Sequence, residues 1–496
     1  MIPRTLRNGV SVAFCEIPVF SADEFRYILS EYISGMCHVS SFFAMPDGDN
    51  YTIIAVLSNP DMSTIEVFRT MVGTEYQSLT PAVPELHWFE REIYEQWGIV
   101  PAGHPWLKPI RFHENYANPS GQEVIPGVTD YYRIEGAQVH QVAVGPVHAG
   151  IIEPGHFRFQ CHGETVFHLE IELGYQHRGI ERAILRNKAR IPFLMQTAAG
   201  DTTIGHTSAW AMVMEGLTHT KTAHRADSIR AIALELERLA NHVGDLGALG
   251  TDIGYLPTSS YNGRIRGDYL NMTAMLCGNR FGRNLVRPGG VLYDMDTDLI
   301  EKLRAKLAEI YDDTISSVEL LWQTPSVMAR FENTGTVSAQ AARETGLVGV
   351  AARASGICRD VRTDLPFGAY VGHQMNPVTF TSGDVRARAG VRWFEVKNSV
   401  KFIQEELEAM APSGEIMSNP GNVAGDSICI ALTEGWRGEI CHTAITDSAG
   451  ALRHYKIVDP SFHNWFGLAL ALRDQEISDF PLCNKSFNLS YCGHDL

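Results

Sequence analysis

The chain has 496 residues, 45% of them hydrophobic and 20% charged, with a formal net charge of −16. This length exceeds the size at which one hydrophobic core usually keeps growing, so two domains are expected. The acidic balance excludes a broad phosphate-binding surface, because nucleic-acid affinity rests on clustered Lys and Arg side chains, and no nucleic-acid partner is expected.

The N-terminal part predicts a small α+β domain, which we place at residues 1–120. A helical pattern runs from Ala22 to Ile33, and short β-type runs follow at Tyr51 to Ser58 and Thr64 to Val72. An amphipathic helix is predicted next, from Pro84 to Ile99. Alternating strands and helices of this length are typical of one small sheet with helices packed on it.

Residues 121–138 predict a linker, because Asn, Pro and Gly are frequent there and no apolar period runs through them. The second domain is placed at residues 139–496. Paired strand-like runs from Gly155 to Tyr175 precede long helical patterns, so this domain is expected to be mainly helical with small β-sheets. Its central helix is predicted for Ser228 to Gly250, ending at that glycine.

The nine cysteines are scattered, and no two stand in C-x-x-C spacing. This excludes a zinc ribbon, a thioredoxin-like site and a cysteine-ligated iron–sulfur cluster within the chain. No apolar signal segment follows the first residues, and no uncharged apolar run reaches the length of about 18 residues that a membrane span needs. A cytoplasmic protein that does not itself cross a membrane is expected.

Several motifs, taken in chain order, resemble two subunits of bacterial complex I. The run WFEREIYEQWGI with GHPWLKPI is similar to the C-subunit signature. Six further motifs resemble the D subunit and the related large subunit of group 4 membrane-bound NiFe hydrogenases. They are GPVHAGIIEPGHFRF, GYQHRGIER, ELERLANHVGDLG, GRNLVRPGGV, RASGICRDVR and DPSFHNW. The fused order is that of the formate hydrogenlyase large-subunit and hydrogenase-4 component G family. The resemblance implies a C-subunit-like domain followed by a D-subunit-like, hydrogenase-like domain.

Hydrogenases of this family hold nickel and iron with four cysteines, in the motifs R-x-C-G-x-C and D-P-C-x-x-C. The resemblance places those four positions at Ala199, Thr202, Ser490 and Gly493. None of the four can supply a thiolate. Cys492 and His494 lie one residue out of register, and one soft ligand cannot hold nickel. We therefore expect no metal bound by this chain.

In complex I the same region forms the inner end of a quinone chamber, where a tyrosine and a histidine protonate the reduced quinone. The matching segment QTAAGDTTIGHTSAW, from Gln196 to Trp210, contains no tyrosine. Two histidines of the motif GPVHAGIIEPGH, His148 and His156, could face such a chamber or could satisfy loop hydrogen bonds. The resemblance thus implies a quinone or another small acceptor as the ligand of this pocket.

Asp201 and His206 complete the candidate catalytic set with His148 and His156. A carboxylate and an imidazole five residues apart could relay a proton in a closed pocket. Alternatively, Asp201 caps the following helix and His206 packs inside the protein. Both interpretations stay open on the sequence.

Two further groups of charged residues predict an internal charge network, since buried charges must be paired. The first shares one helix face and comprises Glu235, Arg238 and His242. The second lies in the motif HRGIE and comprises His177, Arg178 and Glu181. A proton path is the alternative for both groups. HRGIE occurs in both branches of the family although only one binds metal, which favours a structural or coupling role.

The resemblance implies a non-autonomous subunit of a membrane-associated oxidoreductase complex that couples electron transfer to ion translocation. Electrons would arrive from an iron–sulfur cluster in a small partner subunit of the complex I B type. Membrane-embedded partners of the antiporter and H-subunit types would hold the chain at the inner face of the cell membrane. Two functions stay open, reduction of an acceptor in the pocket and a purely structural or coupling role. A working NiFe hydrogenase is disfavoured by the missing thiolates.

Overall fold

The structure, a computed structural model, describes residues 2–121, 124–149 and 152–496. An N-terminal α+β region is followed by a mainly helical region with small β-sheets, which confirms the predicted fold class. Between the two regions, the described part of residues 103–138 contains neither helix nor strand. The domain boundaries at residues 120 and 138 stay predictions.

The N-terminal region is built on a five-stranded sheet in the order β1-β6-β5-β4, with β3 parallel to β6 and the other pairs antiparallel. Helix α1 begins at a capping box in which Ser21 and Glu24 satisfy each other's backbone N–H groups. The elements are β1 (Arg4–Leu6), β2 (Ser11–Ala13), β3 (Val19–Phe20), α1 (Ala22–Ser34), β4 (His38–Asp47), β5 (Asn50–Asn59), β6 (Thr64–Val72), β7 (Glu75–Gln77), α2 (His87–Trp97) and β8 (Val100–Ala102).

The second region holds most of the helices and two larger sheets. Its first half comprises β9 (Val139–Val144), β10 (His156–His162), β11 (Thr165–Glu172), α3 (Ile180–Arg186), α4 (Ile191–Gln196), α5 (Thr203–Thr218), α6 (His224–Asp252), α7 (Leu256–Cys277), β12 (Val286–Arg287) and β13 (Gly290–Val291). Its second half comprises α8 (Thr297–Trp322), α9 (Pro325–Phe331), α10 (Ala339–Glu344), α11 (Gly349–Ala354), α12 (Val361–Asp364), α13 (Val385–Ala409), β14 (Ser427–Gly435), β15 (Gly438–Thr446), β16 (Leu452–Val458), α14 (Pro460–Ala471), α15 (Phe480–Phe487) and α16 (Tyr491–Asp495). Among the described residues, no helix combines the length and apolarity needed to cross a bilayer.

The two regions share one sheet and one core. Strand β2, from the N-terminal region, pairs antiparallel with β14 and completes the sheet β16-β15-β14-β2. The Asn8 amide reinforces this joint, since it donates to the carbonyls of Leu365 and Leu432 and accepts the Leu432 N–H. One cluster of buried apolar side chains also runs through both regions. The N-terminal region is therefore built into the second one rather than tethered to it.

Helix α6 lies at the centre of the second region and is buried over most of its surface. The prediction that this helix ends at Gly250 is wrong, because the helix continues to Asp252. A Cβ atom on Gly250 would lie 3.0 Å from the Tyr255 carbonyl oxygen, so the glycine permits close packing of the next helix, α7. Gly250 therefore permits close contact between α6 and the start of α7 and does not end α6.

The packing of α11 against the turn between β14 and β15 yields a stability test at Gly349, which has φ of +60° and whose added Cβ would lie 2.0 Å from the Arg437 carbonyl oxygen. Gly349→Ala should cost more than about 3 kcal/mol in the free energy of unfolding, because a backbone clash adds to left-handed strain. Gly48→Ala is the matched control, with φ of +62° and nothing within 4 Å, and should cost about 1–2 kcal/mol. Denaturant unfolding measures both, and equal costs would contradict this packing.

Candidate functional site

The two segments assigned to the metal motifs lie side by side. Ala199 and Thr202 lie in the buried turn between α4 and α5, and Ser490 caps α16. Arg178 joins the segments, because its guanidinium donates to the carbonyls of Thr197, Ala198 and Cys492. The resemblance therefore assigned positions to one site that are neighbours in the structure.

The chemistry of this site does not fit a nickel–iron centre. The Ser490 hydroxyl accepts the Gly493 N–H at 2.9 Å, so it serves as a helix cap. A Cβ atom on Gly493 would lie 2.7 Å from both Cγ and Oδ2 of Asp459, so the Asp459 carboxylate occupies the space that a cysteine side chain would need. Burial raises the pKa of the Cys492 thiol to about 12, which keeps that sulfur protonated at neutral pH.

Asp201 forms a bidentate ion pair with Arg437. Arg437 NH1 donates to Asp201 Oδ1 at 2.6 Å, and NH2 donates to Oδ2 at 2.8 Å. Desolvation raises the pKa of Asp201, but the charge and hydrogen bonds of Arg437 outweigh it and hold the pKa below its ordinary value. The alternative that Asp201 caps α5 is wrong, because Thr202 is the cap position and the carboxylate faces Arg437.

His206 lies in a chain of hydrogen bonds between Asp459 and Tyr455. His206 Nε2 lies 3.0 Å from Asp459 Oδ2, and its Nδ1 lies 3.0 Å from His442 Nε2. His442 Nδ1 in turn lies 2.9 Å from the Tyr455 hydroxyl. All four side chains are at most 1% exposed. We call these residues the relay chain: Asp459, His206, His442 and Tyr455.

The surrounding elements fix the ends of the relay chain. Asp459 caps α14, since its Oδ1 accepts the Ser461 N–H at 2.8 Å and Pro460 opens the helix. Tyr455 is carried by β16 and His442 by the adjacent strand β15. Asp459 lies in the motif DPSFHNW, whereas His442, Tyr455 and Arg437 belong to no motif that the sequence indicates.

The hydrogen-bond pattern allows two proton arrangements. When Asp459 is ionised, Tyr455 donates to His442, His442 donates to His206, and His206 donates to Asp459, with both histidines neutral. Burial, aided by the nearby His206, lowers the pKa of His442 well below its ordinary value. Burial would raise the pKa of Asp459, but the His206 hydrogen bond and the Arg437 charge outweigh it and lower that pKa. When Asp459 carries a proton, Asp459 donates to His206, His206 donates to His442, and His442 donates to Tyr455, so the hydrogen bonds of the two arrangements run in opposite directions.

Of the four predicted catalytic residues, the structure brings His148 and His156 within electrostatic reach of each other, whereas Asp201 and His206 bond different partners. Among the described residues, no hydrogen bond joins Asp201 to His206. His148 Nε2 bonds the Gly155 carbonyl at 2.8 Å, and His156 bonds the Gly145 backbone, so both serve the loop between β9 and β10. That loop does reach the site, because the Glu153 carboxylate accepts the backbone N–H groups of Tyr491 and Cys492.

The charged residues of α6 form a closed network of buried ion pairs. The Glu235 carboxylate accepts hydrogen bonds from Arg238, Arg362, Tyr370 and Ser399. His242 Nε2 lies 2.7 Å from Glu395, which also pairs with Arg353. Arg238 further donates to the backbone carbonyls of Glu434 and Gly435. These contacts fasten α6 to α13 and to the sheet that carries the relay chain.

The residues of the HRGIE motif connect the site to helix α16. His177 Nδ1 lies 2.8 Å from the Asp495 carbonyl, and Arg178 holds the two motif segments. Glu181 Oε1 accepts the Lys456 ammonium at 3.0 Å and the Ile457 N–H at 2.9 Å. Each of these contacts positions backbone around the relay chain.

Comparison with known proteins gives two family matches. Residues 22–127 match the family described as the respiratory-chain NADH dehydrogenase 30 Kd subunit. Residues 252–427 match the family described as the respiratory-chain NADH dehydrogenase 49 Kd subunit. The two matches lie in the N-terminal and second regions of the structure, in the order that the motifs indicated.

Three curated relatives extend the similarity. Formate hydrogenlyase subunit 5 of Escherichia coli (strain K12) is 29% identical over 84% of this chain and 76% of its own length. Hydrogenase-4 component G of the same organism is 28% identical over 84% of this chain and 75% of its own length. The carbon monoxide-induced hydrogenase of Rhodospirillum rubrum is 30% identical over 70% of this chain and 97% of its own length.

The Asp201–Arg437 pair yields a second stability test. Asp201→Asn should cost about 2 kcal/mol in the free energy of unfolding, because it leaves Arg437 buried without its charge partner. This cost is below that of a fully buried pair, since the Asp201 side chain is 33% exposed. Asp313→Asn, which removes one of the two carboxylate partners of the exposed Arg264, is the control and should cost under about 1 kcal/mol. A difference of zero in denaturant unfolding would show that the pair does not hold the site.

Proposed function

Because the chain belongs to the formate hydrogenlyase large-subunit and hydrogenase-4 component G family, we propose that it is a non-autonomous subunit of a membrane-associated oxidoreductase complex coupling electron transfer to ion translocation. Its electrons come from an iron–sulfur cluster in a small partner subunit of the complex I B type. Membrane-embedded partners of the antiporter and H-subunit types hold it against the inner face of the cell membrane. The family membership and the paired 30 Kd and 49 Kd matches support this assignment.

Within that complex, the chain contributes proton transfer rather than a metal centre. The observation that carries this proposal is the relay chain, which runs beside the positions of the four family cysteines. When Asp459 is protonated, its proton passes to His206, one proton passes from His206 to His442 and one from His442 to Tyr455, and the Tyr455 hydroxyl proton leaves. Asp459 is then ionised and every hydrogen bond is reversed. Histidines in such chains exchange protons readily because each ring can accept on one nitrogen and donate from the other.

The acceptor that the protons serve is a quinone or another small molecule. The cleft beside Asp201 and Glu237 leaves about 10 Å³ of free space, which is far below the range of about 300–1,000 Å³ usual for ligand pockets. An acceptor at this place therefore needs walls from partner subunits, as expected for a non-autonomous chain. This chain supplies Asp201, Arg437 and the relay chain to such a shared site.

A purely structural role is the second candidate, and the Asp201–Arg437 pair favours it. Both oxygens of that carboxylate are committed to Arg437, so Asp201 is positioned as a fastener rather than as a free acid or base. A structural subunit would keep the relay chain only as a buried polar contact between α5, β15 and β16. The two candidates differ in whether removal of a relay proton changes turnover.

The relay is tested by Tyr455→Phe in the purified complex, assayed with NADH, reduced ferredoxin and quinones. Loss of the hydroxyl breaks the relay chain but preserves the ring, so turnover should fall on the order of 10²-fold while the subunits still assemble. Tyr269→Phe is the matched control, because Tyr269 is equally buried and its hydroxyl bonds Thr314 at 3.1 Å, outside the relay chain. If both variants keep full activity, the structural role is correct and the relay is not used.

The metal content gives an independent prediction. The purified complex should hold no stoichiometric nickel in this subunit, because the positions aligned with the four cysteines offer no thiolate. Elemental analysis against a nickel-loaded hydrogenase measures this directly. About one nickel per chain would contradict the proposal and restore the hydrogenase interpretation.

A further inference from the structure

A second group of titratable side chains lies where the N-terminal region meets β15 and α14. His38 Nδ1 lies 3.1 Å from Glu85 Oε2, and His38 Nε2 lies 3.9 Å from Glu439 Oε1. The His463 ring centroid is 5.0 Å from that of His38. The guanidinium of Arg359 completes the group, donating to the Cys37 carbonyl. We call these residues the joint cluster: His38, Glu85, Arg359, Glu439 and His463.

Each member of the joint cluster has a buried polar atom without a hydrogen-bond partner among the described residues. These atoms are Nε2 of His38, Oε1 of Glu85, NH1 of Arg359, Oε1 of Glu439 and Nε2 of His463. Folded proteins pair most buried polar groups, because each unpaired group costs about 1–3 kcal/mol. Five such atoms in one group indicate a site that takes water or mobile protons between its members.

A cleft lined by Arg359 and Glu439 leads to the joint cluster and leaves about 10 Å³ of free space, which is room for about one water molecule. Half-exposed Pro60, Arg359 and Asp364 line this cleft, and so does Glu439, which is 7% exposed. Glu434 also lines the cleft, and its negative charge acts on Glu439. A proton from solvent thus meets a carboxyl group at Glu439 before any other member of the joint cluster.

The opposite side of the joint cluster faces the relay chain. His463 lies four residues after Asp459, one turn into the helix that Asp459 caps, and the two groups interact electrostatically. His463 therefore links the other members of the joint cluster to Asp459, the first member of the relay chain. No other member of the joint cluster comes from α14.

We propose that the cleft and the joint cluster form the proton-uptake site of this subunit, in which Glu439 takes a proton from solvent and His38, Glu85 and His463 pass it to Asp459. This inference rests on the proposed relay function and assigns the entry point of its protons. The 3.9 Å step between Glu439 and His38 needs a bridging water, as do contacts to His463. Each member returns to its starting charge after one proton has passed.

The electrostatics of the joint cluster suit this task at neutral pH. Burial raises the pKa values of Glu85 and Glu439 to about 7, against the opposing charge of Arg359. Burial also lowers the pKa values of His38 and His463 well below the ordinary value, so both rings rest neutral. Glu434 and Asp364, at the cleft, act in the same field, with pKa values raised by burial to about 7 and about 6. A carboxyl that titrates near the working pH exchanges protons most effectively.

The test is Glu439→Gln in the purified complex, with turnover measured from pH 6 to pH 9. Glu439 delivers a proton only when protonated, so wild-type turnover should decline as pH rises above about 7, while the variant should be slower throughout and lack that inflection. At pH 8 we expect a loss on the order of 10²-fold, partly restored by a high concentration of a small weak acid such as imidazole. Thr443→Val, on the same strand and equally buried, is the control and should behave as wild type.

A spectroscopic readout removes the dependence on turnover. Infrared spectra of the wild-type complex should contain a protonated-carboxyl band that titrates near pH 7, shifts promptly in D₂O and is absent from Glu439→Gln. If that variant does not assemble, Glu85→Gln should remove the second such band and produce the same pH-dependent loss. Prompt exchange shows access from solvent, and its absence at neutral pH overturns the uptake site.

The outcomes separate this inference from the relay itself. A slow Tyr455→Phe with a wild-type Glu439→Gln contradicts the uptake site and leaves the relay standing. Wild-type turnover in both variants contradicts both proposals. Loss in both, with rescue by the weak acid only for Glu439→Gln, supports the uptake site, because a small acid replaces an entry group but not an internal link.

Discussion

The pocket depends on the position of one carboxylate, that of Asp459. Its Oδ2 accepts from His206, its Oδ1 caps α14, and its atoms lie where a side chain on Gly493 would have to be. A buried carboxylate is stable only with charge or hydrogen-bond partners, so the surrounding residues are set by it. Arg437 supplies the positive charge and also binds Asp201, which fastens the turn before α5 to the turn between β14 and β15.

The same sheet ties this pocket to the rest of the molecule. Strand β15 carries both Glu439 of the joint cluster and His442 of the relay chain, three residues apart and therefore on opposite faces of the sheet. Because β2 of the N-terminal region pairs with β14, the N-terminal region cannot move without the sheet that holds the relay chain. The joint cluster lies along this shared boundary. A fused chain thus keeps an uptake cleft and a relay chain in fixed register.

The fold could be predicted from sequence because local patterns and motif order agree with it. The helix from Ala22 and the strands near Tyr51 and Thr64 follow from period and composition alone. The end of α6 could not be predicted, because Gly250 serves a close contact with the following helix, and such contacts leave no local signal. The same limit applies to Asp201, whose partner Arg437 is 236 residues away along the chain.

The relay chain shows the same limit at the site. His206 could be singled out because it lies in the segment that aligns with a metal motif. His442 and Tyr455 lie in strands whose sequences have the pattern of ordinary buried β-strands. The two side chains come together because β15 pairs with β16. The network on α6 was predictable in part, since the spacing of Glu235, Arg238 and His242 shows a shared face. Their partners Arg362 and Glu395 come from distant segments.

The most direct measurement is a high-resolution cryo-electron microscopy map of the assembled, purified complex. The account predicts that the Asp459 side chain lies against Gly493, hydrogen-bonded to His206, with Arg437 bridging to Asp201 and with protein atoms filling the space between Ala199 and Ser490. Density for a metal ion at that place, with Asp459 displaced from His206, would contradict it.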